Sequence, residues 1–252
     1  MLKDKQVVVK PILFNTEMVR AILDGKKSCT RRLVKPQQFM GLLPDKCKNA
    51  MPDKFLKRKN MMFKPYCDMT DSELIDTAYK PPCWAGDILY VRETWQCWRA
   101  HRYEATADIK FRAGGDDIRL QFANGNTDSI NRLDYDTFVH KWFSYNGKWK
   151  PSLFMPKEAA RIWLRVTDVR VERLQDMTDE DCEKEGLENF CKKCSSIFSE
   201  CDTCMNDGGI KMDFKELWNS TIKKSDLDHY GWNANPYVWV ISFERCEKPE
   251  GM

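Results

Sequence analysis

Four stretches of the chain have the hydrophobic pattern of β-strands. Residues 6–14 are mostly β-branched or apolar, and Pro11 within them favours an edge strand or a bulge. Residues 88–95 are apolar with a polar end, and residues 161–174 alternate between apolar and polar side chains. Residues 237–243 form the last apolar stretch. We therefore expect strands near both ends of the chain and in its middle.

Three other stretches repeat their apolar residues at helical spacing. Each is bounded by a polar residue that can cap the first turn or by a glycine that can end the last one. The predicted helices are 15–24, which ends at Gly25; 178–185, which begins at Thr178 and ends at Gly186; and about 210–222, whose Phe214, Leu217 and Trp218 share one face.

The order of these elements predicts a mixed α/β fold that is mainly β. Many short strands with a few helices between them favour a small mixed or closed sheet over an alternating parallel one. Residues 36–80 are rich in proline with little periodicity, and residues 96–148 combine short strand patterns with a turn at Gly114-Gly115. We interpret 36–80 and 96–148 as long insertions into a single domain that spans residues 1–252.

Composition narrows the class of protein. A chain of 252 residues with 42% hydrophobic and 31% charged residues is neither disordered by composition nor built to span a membrane. The first residues lack the pattern of a signal peptide, so we expect a cytoplasmic protein without a membrane segment. Eleven cysteines, an odd number without an export signal, favour thiols or metal ligands over a disulfide framework.

The charge is distributed unevenly along the chain. Residues 1–67 carry 16 Lys and Arg against five Asp and Glu, whereas residues 172–207 carry 11 acidic against four basic residues. A basic N-terminal third suits an anionic partner such as nucleic acid. The alternative is a solvated basic face without a partner, since lysine-rich surfaces are common.

Four cysteines have the spacing of a metal site. Cys191 and Cys194 form one CxxC pair, and Cys201 and Cys204 form a second. Four thiolates suffice for a closed tetrahedral site, and zinc is the usual occupant. We predict a structural zinc that holds an insertion at about 188–209 in place; the alternative is a loop of free or disulfide-linked cysteines.

A basic turn follows the first predicted helix. On a strand, Thr30 and Arg32 share one face with Ser28, whereas Cys29 and Arg31 share the other. Lys27 precedes them, at the entrance to the strand. Such a turn can hold a phosphate or a carboxamide oxygen, and a lysine drawn into a pocket can act as a base. The alternative is again a solvated basic turn.

A second charged group follows the predicted strand at 88–95. Arg92 and Glu93 stand at its polar end, and Lys157 and Arg161 are possible companions. These four side chains are candidates for binding a ligand at the end of the sheet. The alternative is an Arg-Glu ion pair that braces a loop and adds little stability where it is exposed.

Nine tryptophans offer platforms on which nucleobases can stack. Three of them occupy apolar patterns and are better interpreted as core: Trp163, Trp218 and Trp239. The candidates for stacking are Trp95, Trp98, Trp142 and Trp149.

The run from Gly25 to Arg32 resembles the GxKxxTxR signature of the ASCH domain, a PUA-like family. The similarity covers roughly residues 7–35, 81–95 and 149–246 and includes YVRETW and NPYVWVISFER. The layout is similar to that of longer phage and prophage members. The resemblance implies a PUA-like β-barrel with flanking helices and insertions.

The resemblance also implies site residues. In small members that hydrolyse acylated cytidines, a Lys and a Thr of the signature and a Glu on a later acidic helix form the catalytic group. These residues correspond here to Lys27, Thr30 and Glu185, and Arg32 corresponds to the signature arginine.

These observations lead to three functional hypotheses. The first is binding of RNA or a modified nucleoside in a basic cleft, with amide hydrolysis of N-acylated cytidine as its possible chemistry. The second is a non-catalytic phage or prophage accessory module that binds nucleic acid or a host protein, and a weaker third is a ribonuclease. We expect a monomer. No motif of a Rossmann dehydrogenase, a P-loop NTPase or a zinc protease occurs.

The zinc hypothesis predicts roughly one zinc per chain in protein purified without chelator, because four Cys ligands form one closed site. Metal analysis by mass spectrometry measures it. The Cys191→Ser, Cys194→Ser double variant should lose the metal, and a variant that kept its full zinc content would contradict the assignment.

Overall fold

The chain divides into two compact units, each made of segments that are distant in sequence. The first unit comprises Met1–Ser28, Ala85–Thr167 and Phe243–Met252, and the second comprises Cys29–Trp84 and Asp168–Ser242. The computed structural model describes residues 7–35, 80–122, 134–188 and 209–249 of these units.

The first unit contains a parallel pair of strands and a helix. Strand β1 (Val9–Leu13) pairs in parallel with β3 (Ile88–Arg92), which pairs antiparallel with the beginning of β7 (Trp163–Arg173). Pro11 lies in β1, which is the edge strand of its sheet. This position agrees with the prediction, because proline has no backbone N–H to donate to a neighbouring strand. Helix α1 (Thr16–Leu23) is capped by the Asn15 side chain, which accepts a hydrogen bond from the Met18 amide.

A second sheet of the first unit lies within the predicted insertion at 96–148. It consists of the antiparallel strands β4 (Trp95–His101), β5 (Thr106–Phe111) and β6 (Ile118–Gln121). Helix α2 (Tyr135–Trp142), which the sequence did not predict, contributes buried Phe138 to the same core. Its eight residues bury only this one side chain, so its periodicity is weak.

The structure corrects two expectations in this region. Residues 88–95 are not one strand, because Glu93 and Thr94 separate β3 from β4 and the two strands belong to different sheets. Trp95 is not an open stacking platform, since it lies fully inside the core against Phe138 and Trp142. A large aromatic side chain is best stabilised by such burial.

The second unit contains the remaining strands. Strand β2 (Cys29–Leu33) pairs antiparallel with β8 (Tyr237–Cys246), with Arg31 opposite Val240. The strand order of this sheet is β1-β3-β7-β8-β2, and β7 and β8 each have residues in both units.

The described part of the second unit also contains the helices α3 (Asp179–Lys184), α4 (Gly209–Thr221) and α5 (Leu227–Tyr230). The predicted start of α3 is confirmed by a capping box, in which Thr178 and Asp181 each accept from the other's backbone N–H. Gly186, with φ of +94°, ends it as predicted. Short 3-10 turns occupy Ser152–Phe154, Lys157–Ala159, Leu174–Asp176, Lys224–Asp226 and Trp232–Ala234.

The prediction of a mixed fold with flanking helices is confirmed. No closed barrel is found in the described residues, where the strands form two open sheets. The insertion at 36–80 falls outside the described residues except for its last position. Within the described ranges, every helix is too short or too polar to span a lipid bilayer.

The core of the second unit predicts the effect of truncating α4. Phe214 is buried with Leu174, Trp218 and Val238, so Phe214→Ala should lower the free energy of unfolding by about 3 to 5 kcal/mol. Met212 on the same helix is 39% exposed, and Met212→Ala should cost less than about 0.5 kcal/mol. Denaturant unfolding of both variants measures the difference; equal losses would mean that this face of α4 is not packed as described.

Candidate functional site

Strand β2 carries the basic turn of the sequence into a buried position. Thr30 is 1% exposed and Arg31 is 3% exposed, although their side chains point to opposite faces of the strand. Cys29 is also buried, and Arg32 is half-buried. Both faces of β2 are therefore covered, and the run is not a solvated basic turn.

Arg31 lies at the centre of an ionic group within the second unit. Its Nε and Nη2 donate to Glu172 Oε1 at 2.9 and 2.7 Å, and Nη1 donates to Glu185 Oε1 at 3.3 Å. Nη2 is also 3.4 Å from Asp181 Oδ2. We call Arg31, Glu172, Asp181 and Glu185 the Arg31 cluster.

Electrostatics keep the Arg31 guanidinium charged in spite of its burial. Burial by itself lowers an arginine pKa, but the attraction of Glu185 and Glu172 outweighs it and raises the pKa of Arg31. Arg170 adds a second cation, with Nη2 at 3.5 Å from Glu172 Oε2 and 3.9 Å from Asp181 Oδ1. The cluster thus surrounds one buried cation with three carboxylates and has a second arginine at its exposed side.

Helix α3 positions two of these carboxylates. Asp181 occupies the third position of the capping box, and Glu185 follows the last helical residue. Burial raises the pKa of Asp181, but the hydrogen bond from the Thr178 backbone and the attraction of Arg31 hold it below its ordinary value. The lowered pKa favours the ionised form of Asp181, which pairs with Arg31.

Arg32 belongs to the same electrostatic environment. Burial lowers its pKa, and Glu185 opposes this effect by attraction. The structure therefore brings the predicted residues Thr30, Arg32 and Glu185 into the second unit, with Glu185 acting on both arginines of β2.

Sequence reasoning missed Arg31 and Glu172. The available signal was alternation: Arg170 and Glu172 share one face of the long strand β7, and Arg31 lies opposite to the face assigned to the site. Pattern alone could not show that β2 is buried on both faces, because burial depends on which elements pack against it.

Lys27, the third predicted catalytic residue, lies in the first unit. It is 4% exposed, and its Nζ is 5.7 Å from the centroid of the Phe14 ring. Gly25, with φ of +73°, ends α1 as predicted, and the Lys27 amide donates to Ala21 O across that turn. Lys27 is therefore held inside the first unit beside an aromatic ring and is not a surface lysine.

The second predicted group forms a separate ion pair in the first unit. Arg161 donates from Nε and Nη2 to the two carboxylate oxygens of Glu93, at 2.9 and 3.0 Å. Its guanidinium carbon is 4.0 Å from the centroid of the Phe111 ring. A Cβ on Gly115, which has φ of +80°, would be strained and would lie 2.7 Å from Arg161 Nη1, so a larger residue there would displace the guanidinium.

Burial raises the pKa of Glu93, and the hydrogen bonds and charge of Arg161 only partly offset this effect. Arg92 turns elsewhere: it donates to Tyr90 Oη and to Leu153 O, each at 3.3 Å. Lys157 is half-buried at the start of its 3-10 turn. This geometry agrees with an ion pair that braces the break between β3 and β4.

The predicted zinc ligands, Cys191, Cys194, Cys201 and Cys204, lie outside the described residues. In the ranges that the structure covers, no group of three or more His, Cys, Asp or Glu side chains is arranged to hold a metal ion. The zinc site therefore stays a prediction from spacing.

Comparison of the chain with protein families, with curated proteins and with solved structures found no match. The functional inference consequently depends on the geometry of the site and on the residues themselves.

The Arg31 cluster predicts a pH-dependent defect. Arg31→Met leaves three neighbouring carboxylates without their buried cation and should cost about 3 to 5 kcal/mol of unfolding free energy near pH 7. The loss should shrink as the pH falls towards about 4, because protonation removes the repulsion between the carboxylates.

Arg170→Met is the matched control, since Arg170 is partly exposed and pairs with two of the same carboxylates. It should cost less than about 1 kcal/mol. Denaturant titrations at several pH values measure both variants. Equal losses, or a loss for Arg31→Met that does not change with pH, would contradict the proposed balance of charges.

Proposed function

We propose that the second unit binds a cytosine-containing nucleoside or RNA base beside Thr30, Arg32 and Glu185. The observation that carries this proposal is burial within the second unit: Thr30, Arg31 and Glu185 are all at most 5% exposed. Residues of these types are rarely buried unless they are paired or functional. The resemblance of residues 25–32 to the ASCH signature supports the same residues.

The chemistry of these side chains suits the pairing edge of cytosine. A carboxylate accepts a hydrogen bond from the exocyclic N4 amine, and a guanidinium donates to the ring acceptors N3 and O2. Glu185 and Arg32 provide this combination in one environment. Uracil carries a carbonyl in place of the N4 amine and would be repelled by the same carboxylate.

The reaction that follows from this proposal is hydrolysis of an acyl group on N4. The oxygen of water forms a bond to the acyl carbon, the bond from that carbon to N4 breaks, one water proton goes to N4, and a carboxylic acid and cytidine leave. Thr30 would position the water, and Glu185 would accept its proton and deliver it to N4. The resemblance also assigns Lys27 of the first unit to the catalytic group.

One observation favours binding without catalysis as the second candidate. Arg31 already donates to Glu185 Oε1, so this carboxylate is held in an ion pair. A carboxylate fixed in this way is well suited to accept a hydrogen bond from a base. It is less suited to carry a proton through a reaction.

Calorimetric titration with N4-acetylcytidine, cytidine and uridine tests the binding. Arg32→Ala should weaken binding of the cytosine nucleosides by about 1 to 3 kcal/mol, because a charge-assisted hydrogen bond is lost. Lys223→Ala, which removes an exposed charge of the same unit, is the control. Unchanged affinity in Arg32→Ala, or equal affinity for uridine, would place the ligand elsewhere.

Release of acetate from N4-acetylcytidine separates the two candidates. If the chain is a hydrolase, the wild-type protein should release acetate faster than the Lys27→Ala, Thr30→Val and Glu185→Gln variants. Equal background rates for all four proteins, together with binding that depends on Arg32, would leave a binding protein.

A further inference from the structure

A segment of the first unit, residues 141–157, has a composition suited to binding an anionic ligand. Residues 141–157 contain four lysines and five aromatic residues and no Asp or Glu. This composition lies in a chain whose acidic and basic residues are nearly equal in number, 38 against 41. The segment is therefore a local concentration of positive charge interleaved with rings.

Contacts join part of this segment into one continuous surface. The Trp142 and Phe154 rings lie 5.8 Å apart, and Lys141 Nζ is 4.8 Å from the centroid of Trp142. Leu153 O accepts from Arg92 Nη1, which connects the arginine to the same segment. We call Arg92, Lys141, Trp142, Leu153 and Phe154 the lysine–aromatic surface.

The apolar members of this surface face solvent. Phe154 is 51% exposed and Leu153 is 58% exposed, and Trp149 in the same segment is also exposed. Trp142 packs on the core, since its ring centroid is 5.5 Å from that of the fully buried Trp95. Exposed rings on a rigid base cost little entropy when a ligand covers them.

Arg92 keeps hydrogen-bonding capacity at the edge of this surface. A guanidinium has five N–H donors, and Arg92 donates once from Nη1 and once from Nη2, while its Nε has no acceptor among the described residues. Its guanidinium carbon lies 5.5 Å from the centroid of Tyr90, which holds the group in place. The remaining Nη donors suit an anionic oxygen.

We propose that the lysine–aromatic surface binds single-stranded nucleic acid. Phe154 stacks on an unpaired base, and Arg92 and Lys141 contact the phosphates on either side. Alternating cations and exposed rings match a strand whose charges and bases alternate. A duplex would offer phosphates but no base faces, so the rings would gain nothing from it. RNA and DNA share the required chemistry.

The inference does not depend on the proposed nucleoside site. The lysine–aromatic surface belongs entirely to the first unit and shares no residue with Thr30, Arg32 or Glu185. Each hypothesis can therefore fail while the other stands.

Fluorescence anisotropy of the full chain with labelled oligouridylate and oligothymidylate of about 12 nucleotides tests the proposal. Phe154→Leu keeps an apolar side chain but removes the ring, and it should weaken binding roughly 5- to 100-fold. Tyr103→Leu removes a fully exposed ring from another loop of the same unit and should bind as wild type does.

Salt dependence tests the phosphate contacts separately. Lys141→Gln should reduce the slope of log affinity against log salt by about 0.7, because one fewer phosphate is neutralised. Lys224→Gln removes an exposed charge from the second unit and should leave the slope unchanged. The oligouridylate and oligothymidylate arms show whether the 2′-hydroxyl contributes to affinity.

Three results would overturn the proposal. The first is wild-type affinity in both Phe154→Leu and Lys141→Gln. The second is equal affinity for a duplex of the same length or for heparin, which would indicate attraction to any polyanion. The third is binding to anionic phosphatidylserine vesicles without binding to either single strand, which would make the surface a membrane contact.

Discussion

The second unit depends on the burial of one positive charge, the guanidinium of Arg31. Moving such a group out of water costs several kcal/mol, and only close carboxylates with good hydrogen-bond geometry can repay that cost. Glu172 of β7 and Asp181 and Glu185 of the α3 region supply them at 2.7 to 3.4 Å. Strand β2, strand β7 and helix α3 must therefore keep their places within the unit, because displacement of any of them would leave a buried charge unpaired.

The first unit also buries an ion pair, but here burial of the carboxyl outweighs the attraction of its arginine. Glu93 is buried with one arginine, Arg161, and its pKa rises, whereas Asp181 beside Arg31 has a lowered pKa. The two carboxyl groups therefore change the stability of the fold with pH in opposite directions. A carboxyl with a raised pKa favours the folded state at low pH and loses that contribution as the pH rises through the folded pKa. The lowered pKa of Asp181 contributes stability above its unfolded pKa, and this contribution is lost as the pH falls through the folded pKa.

The same ionic arrangement bears on function. Glu185 interacts with Arg31 and with Arg32, so the carboxylate proposed to bind the base is oriented before any ligand arrives. Preorganised charges of this kind bind a polar ligand without the cost of reorganising the site. The binding proposed for the lysine–aromatic surface depends instead on exposed groups. Its Phe154 and Leu153 are exposed, and the segment 141–157 contains no acidic residue that could neutralise its cations.

The sequence by itself determined those features that depend only on neighbouring residues. The cap at Thr178, the glycine ends at Gly25 and Gly186 and the edge position imposed by Pro11 depend on residues within a few positions of one another. Only the tertiary structure decided that β3 and β4 are separate and that Arg31 is the central charge. The partners of Arg31 lie 141 and 154 residues further along the chain, and no local pattern reports such a distance. Hydrophobic periodicity shows which face of a strand is apolar, whereas burial of both faces of β2 follows from the elements that pack on it.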